Sequence, residues 1–166
     1  MEKKSPSHNK YDKIAQFPSN TSEQSAFIDR LAISINGTYI GHISESQSAI
    51  TIFKFNQSAQ DYEYFNQVNS TKANKTWIWD FSFNPQSEEE FAILTNGYVE
   101  IRRVDGYEVE VMMGGYEHGC YSSSGKYYLT SNKTTAILYE RINGKYEQFE
   151  TFEIDKEISS LGISGD

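Results

Sequence analysis

The chain has 166 residues, enough for one domain with a sizeable core. Its net charge is −8 with no basic run, which excludes phosphate backbones and anionic membrane surfaces as natural partners and favours a cationic protein surface. Aromatics make up 14%, with 12 Tyr and 10 Phe, a composition that suits strands and excludes a disordered chain.

Residues 1–10 read as a disordered polar tail. The start has no apolar core, so no signal peptide is expected, and no stretch reaches the roughly 18–20 apolar residues of a membrane span. The lone Cys120 cannot close an internal disulfide, which favours a reducing, cytoplasmic setting, and it reads as a small buried strand residue. Tyr11–Phe17 is a single strand, followed by a Ser/Asn/Thr-rich loop.

Four hairpin-linked strands then follow. Leu31–Ile35 alternates, Asn36-Gly37 turns, Thr38–Ile43 returns, Ala49–Phe55 is a third strand and Tyr62–Val68 a fourth. The pattern repeats from Trp77–Phe83 through Phe91–Thr95, Asn96-Gly97, Tyr98–Val104, Asp105-Gly106 and Tyr107–Val111. It repeats again from Tyr116–Ser122 through Lys126–Ser131, Thr135–Arg141, Asn143-Gly144 and Tyr146–Phe152. Ile158–Asp166 begins the pattern once more.

Each fourth strand opens on Tyr followed by an acid: Tyr62-Glu63, Tyr107-Glu108 and Tyr146-Glu147, with Tyr11-Asp12 ahead of them. A unit of roughly 40–45 residues with four short strands is the mark of a propeller blade. The pattern predicts an all-β fold: an incomplete β-propeller of three four-stranded antiparallel blades plus single flanking strands. The propeller would cover 11–166, with blades at about 31–68, 77–113 and 116–152 and the start of a further blade at 158–166. The four tyrosines are expected to occupy equivalent places on outermost strands. An arc of three blades leaves two flanks open, so self-association or completion of the ring by another chain is expected.

Cys120-Tyr121-Ser122-Ser123-Ser124-Gly125-Lys126-Tyr127-Tyr128-Leu129-Thr130-Ser131 and Ile158–Asp166 resemble first and second strands of WD-repeat blades, and Thr135–Glu140 resembles a third. Arg102-Arg103 and Phe53-Lys54 stand where Trp-Asp is usual, and Trp79-Asp80 falls on a first strand. The resemblance implies a non-catalytic platform for protein–protein interaction, with partners held on loops at one face. Trp77, Tyr98, Tyr116 and His118 are the contact candidates there. The alternative is part of a propeller hydrolase or lectin-like domain, with Asp80 as the one acid on the first strands.

The remaining chemistry is sparse. His118 and Cys120 make one pair, short of the ligands a zinc site needs, so no metal and no cofactor are expected. His42 reads as a packed strand residue. Glu88-Glu89-Glu90 reads first as a solvated hairpin tip and second as an attractor of a basic partner. Trp77 and Trp79 share one face of a strand, with Trp79 assigned to packing between blades.

Overall fold

The computed structural model describes residues 28–44, 49–70, 78–95, 97–113 and 118–165. Twelve strands form three separate four-stranded sheets, and no helix occurs among the described residues. The first sheet comprises β1 (Ile28–Ile33), β2 (Tyr39–Ser44), β3 (Ala49–Asn56) and β4 (Asp61–Asn69). The second comprises β5 (Ile78–Phe83), β6 (Glu90–Thr95), β7 (Tyr98–Arg103) and β8 (Glu108–Met113). The third comprises β9 (His118–Tyr121), β10 (Tyr127–Ser131), β11 (Thr135–Ile142) and β12 (Lys145–Glu153). Each is an antiparallel meander in chain order, as hairpin-sized connections require. This is the expected all-β, partial propeller.

The hairpins form because their turn residues accept left-handed backbone. Asn143 at φ 52° and Gly144 at φ 85° make the tight turn between β11 and β12. The first turn of every blade has a second device. The Ser34 amide donates to the Tyr39 carbonyl and the Gly37 amide to the Ser34 carbonyl, both at 2.9 Å. The same two bonds recur at Ser122, Tyr127 and Gly125, and at Asn84, Glu90 and Ser87. In the first and third blades the serine hydroxyl also accepts the amide of Tyr39 (3.0 Å) or Tyr127 (3.1 Å). A small polar residue at this place closes the hairpin without a longer turn.

A bulge falls on the third-to-fourth strand pairing of each blade, after Ile52, Ile101 and Leu138, and aligns the three. In that alignment Tyr62 and Tyr146 are equivalent. Their hydroxyls donate to the Gly37 carbonyl (2.5 Å) and the Gly125 carbonyl (2.6 Å), tying outer strand to first turn. Tyr107 breaks the expected equivalence. It pairs one residue away, in the place of Glu147, so its side chain leaves the opposite face and is 68% exposed. Gly106 occupies the tyrosine's place, and Arg102 Nη1 donates to its carbonyl at 3.1 Å.

The core lies between sheets. One cluster joins Tyr39, Ile43, Ile50, Ile52 and Val68 of the first blade to Ile78, Phe81, Phe83, Phe91 and Ile93 of the second. The other joins Ala92, Leu94, Val99, Ile101 and Met112 to Tyr128, Tyr139 and Tyr146 of the third. Strand β6 feeds both, and all six of its residues are buried. Its continuous run Phe91-Ala92-Ile93-Leu94 is the sequence form of a strand covered on both faces.

The expected strand Tyr11–Phe17 lies outside the described residues. Residues 154–165 form no strand but return along the third blade. The Ile154 and Ile158 amides donate to the Thr134 and Lys133 carbonyls at 2.8 and 2.7 Å, and Ile158 is buried.

Gly41 tests the blade spacing. A Cβ there would lie 2.6 Å from Phe81 Cε2, part of a ring packed between sheets. Gly41→Ala is expected to lower unfolding free energy by about 1–3 kcal/mol, an overpacking cost. Gly162→Ala, where a Cβ meets nothing within 4 Å, is expected to change little, both variants being read by urea titration.

Candidate functional site: the inner-strand rim

The first strands of the three blades lie side by side, β5 between β1 and β9. Near their starts, matching register positions carry three different chemistries. Arg30 pairs with Ile43, Asp80 with Leu94 and His118 with Ser131. Arg30 Nε lies 3.4 Å from Asp80 Oδ1, bridging the first two blades. Asp80 also accepts the Phe81 amide at 2.9 Å. Burial pushes its carboxyl above the usual range, opposed by the Phe81 amide and by the charges of Arg30 and His118. Counting back four residues from the first-turn Ser34, Asn84 and Ser122 finds all three, and that is the signal by which Arg30 could have been singled out.

Trp79 corrects an expectation. The bulge between Ile78 and Asp80 takes it out of the strict alternation, and the indole is 48% exposed. The indole is therefore half-exposed near the start of β5 and is not part of the buried packing between blades. Of the four contact candidates, His118 is half-buried at the start of β9 and Tyr98 half-buried at the start of β7. Tyr98 pairs with Thr95, which pairs with Ile78, so both residues lie at the end where first strands begin. Trp77 and Tyr116 lie outside the described residues.

Only Glu89 of the acidic run is exposed as a hairpin tip would be; Glu88 and Glu90 are drawn into ties between blades. Glu88 accepts the Ser34 hydroxyl (2.5 Å) and the Asn36 amide, across the joint between the first two blades. Glu89 pairs with Arg103 at 2.5 Å. Glu90 is buried, accepts Asn84 Nδ2 at 2.7 Å and holds Arg141 of the third blade at 3.1 Å. Glu100 and Arg102, both buried, pair at 2.8 Å in the first joint, where Ser70 also donates to Glu100. In the second joint, Glu110 accepts the Tyr146 amide at 2.9 Å.

Cys120 has a thiol pushed up by burial, against a backbone hydrogen bond from Ile163, which disfavours the nucleophilic thiolate. His42 stacks on Phe53 at 5.6 Å, and burial lowers its pKa. Among the described residues no three His, Cys, Asp or Glu side chains converge as a metal site would require, and no helix is long and apolar enough to cross a membrane.

A candidate 6-phosphogluconolactonase from Bacteroides fragilis superposes with a TM-score of 0.65 at 17% identity, over 77% of this chain and 39% of its own. Another from Bacteroides uniformis gives 0.66 at 17%, over 81% and 43%. A chain of the COPII outer coat vertex, assembled on membranes, gives 0.66 at 13%, over 86% and 39%. The fold is that of a β-propeller. The chain spans about two-fifths of the length of these three neighbours. No protein-family model matches it, and no curated protein does.

The Glu88 tie has a pH signature. Partial burial raises its pKa, but hydrogen bonds from Ser34, Asn36 and Thr38 outweigh this and hold it below the ordinary 4.5. A carboxyl with a depressed folded pKa contributes stability that is fully present above its unfolded pKa and is lost as pH falls through the folded one. Glu88→Gln is therefore expected to lower Tm at pH 7. The gap to the wild type should close as pH drops below 4.5, read by thermal melts across that range.

Proposed function

We propose that the chain is a WD-repeat-like propeller segment of the cytoplasm that serves as a non-catalytic scaffold, binding a protein partner at the inner-strand rim. The observation that carries this reading is the exposed Trp79 together with the Arg30–Asp80 pair. An exposed indole one residue from a charged pair in the chain has the composition of an interface anchor, where aromatic residues and Arg dominate binding energy. The described carboxylates of the blade joints support it, because they are engaged in ties between sheets. The net charge of −8 selects a cationic partner surface.

A second reading draws on the same cluster. Asp80, whose pKa burial raises and which feels the charge of His118, is the group a propeller hydrolase would use as acid or base. Two structural neighbours are described as candidate lactonases, so lactones belong in the substrate screen.

Proximity labelling in the native cells separates the two. Proteins labelled by the wild-type chain should be lost from Trp79→Ala, at a cost of about 2 kcal/mol or more in affinity. They should be retained by Gln57→Ala, a change at the opposite end of the blades. An unchanged set of labelled proteins in Trp79→Ala, with lactone turnover abolished by Asp80→Ala, would replace the scaffold by the enzyme.

A further inference from the structure

The middle blade departs from its neighbours at one hairpin, the turn between β7 and β8. In the first and third blades a tyrosine opens the outer strand and spends its hydroxyl on the first turn, Tyr62 on the Gly37 carbonyl and Tyr146 on that of Gly125. The next place in each is exposed and holds an acid, Glu63 opposite Lys54 and Glu147 opposite Glu140. In the middle blade Tyr107 takes this solvent-facing place, across from Arg103. The first turn is held there without it, by the Val104 amide on the Glu89 carbonyl (2.9 Å) and by Arg103 on the Glu89 carboxylate.

Tyr107 is 68% exposed, and among the described residues its side chain makes no hydrogen bond and no ring contact. Its backbone is fixed all the same. The Arg103 amide donates to the Tyr107 carbonyl at 2.9 Å, the Gly106 amide to the Arg103 carbonyl at 2.8 Å and the Tyr107 amide to Asp105 Oδ1 at 3.0 Å. A phenol on a rigid hairpin, with two side-chain torsions to fix, loses little freedom when it is covered.

The charges of this hairpin do not balance. Arg103 pairs with Glu89 and Asp105, and Arg102 with Glu100 and Glu108. Two guanidinium groups thus meet four carboxylates, and Glu89 and Asp105 are half-exposed.

We propose that Tyr107 anchors a second docking surface, at the end of the blades opposite the rim, for a basic segment of a partner protein. The occupant is basic because the charge around the phenol is negative in excess. A Lys or Arg side chain gains both from that surplus and from the face of the ring. The two surfaces lie at opposite ends of β7, about 17 Å apart at roughly 3.4 Å per residue. Filling both makes the chain a bridge between two partners, a step that rests on the scaffold reading of the rim.

Photo-crosslinking in the native cells tests this, with p-benzoylphenylalanine incorporated in place of Tyr107 and, as controls, in place of Glu63 or Glu147. The adduct at the Tyr107 place is expected to map to a basic segment of a protein. It should be absent from both control places and persist when Trp79→Ala is added. That segment, made as a peptide, should bind the purified chain and lose roughly thirtyfold or more in affinity to Tyr107→Ala, with circular dichroism confirming the variant's fold. Its binding to the wild type should weaken as NaCl rises from about 50 to 500 mM. The proposal is overturned by no adduct at the Tyr107 place, by the same adduct at all three places, by an acidic segment, or by a peptide that Tyr107→Ala binds as tightly as the wild type. An adduct lost in Trp79→Ala also overturns it, placing Tyr107 within the rim's own site and leaving the scaffold reading standing. Failure of the rim reading, by contrast, leaves the adduct in place.

Discussion

The structure depends on the fact that a twisted four-stranded sheet has two faces and each must be covered. In the middle blade this is met on both sides: Phe91 and Ile93 point into one joint, Ala92 and Leu94 into the other. Right-handed twist brings the inner strands of adjacent sheets together and lets the outer strands diverge. Side chains must therefore be small where sheets approach and large where they part. Gly41 under the Phe81 ring and Phe65, half-open on the outer strand, are the two ends of that gradient. At about 25 cal/mol per Å² of apolar area, these faces supply most of the driving force for the arc.

Apolar contact alone is non-directional and does not fix how one sheet sits on the next. The polar ties do. The Glu88 carboxylate on the Ser34 turn, Glu90 on Arg141 and Glu110 on the Tyr146 amide each link a named place on one blade to a named place on its neighbour. The buried Glu100–Arg102 pair, with Ser70 and Glu108 around it, anchors the first joint in the same way. Such a group is costly to bury unless its hydrogen bonds are made, so a rotated or slipped sheet would leave it unpaired. The acids that look like a surface charge run in the sequence thus discriminate the native stacking from its near neighbours.

What the sequence made legible follows from range. Hairpins are local, and Asn143-Gly144 or Ser122-Ser123-Ser124-Gly125 announces its turn within a few residues, so the three sheets and their order could be read directly. The failures are places where one residue of slip or a distant partner decides. Unbroken alternation places Trp79 in the packing between blades, and a bulge interrupts that alternation. Tyr107 carries the same dipeptide as Tyr62 and Tyr146, yet its turn differs by one residue, which is enough to invert its side chain. Glu88 and Glu90 find partners more than fifty residues away in the chain, beyond any local pattern.

A repeat offers its own control for separating scaffold from function. Where three blades place the same chemistry at one register position, the fold requires it. Ser34, Asn84 and Ser122 all close the first turn through the same two backbone bonds, and a small polar residue is all that the place admits. Four residues earlier the same strands carry a guanidinium, a carboxylate and an imidazole. No single structural duty at that place is served by all three, although Arg30 and Asp80 tie the first two blades. The position lies at the rim, on the three first strands that lie side by side, with the exposed Trp79 next to Asp80 in the chain. A position where each blade carries a different chemistry is one where side chains can be shaped by what they bind.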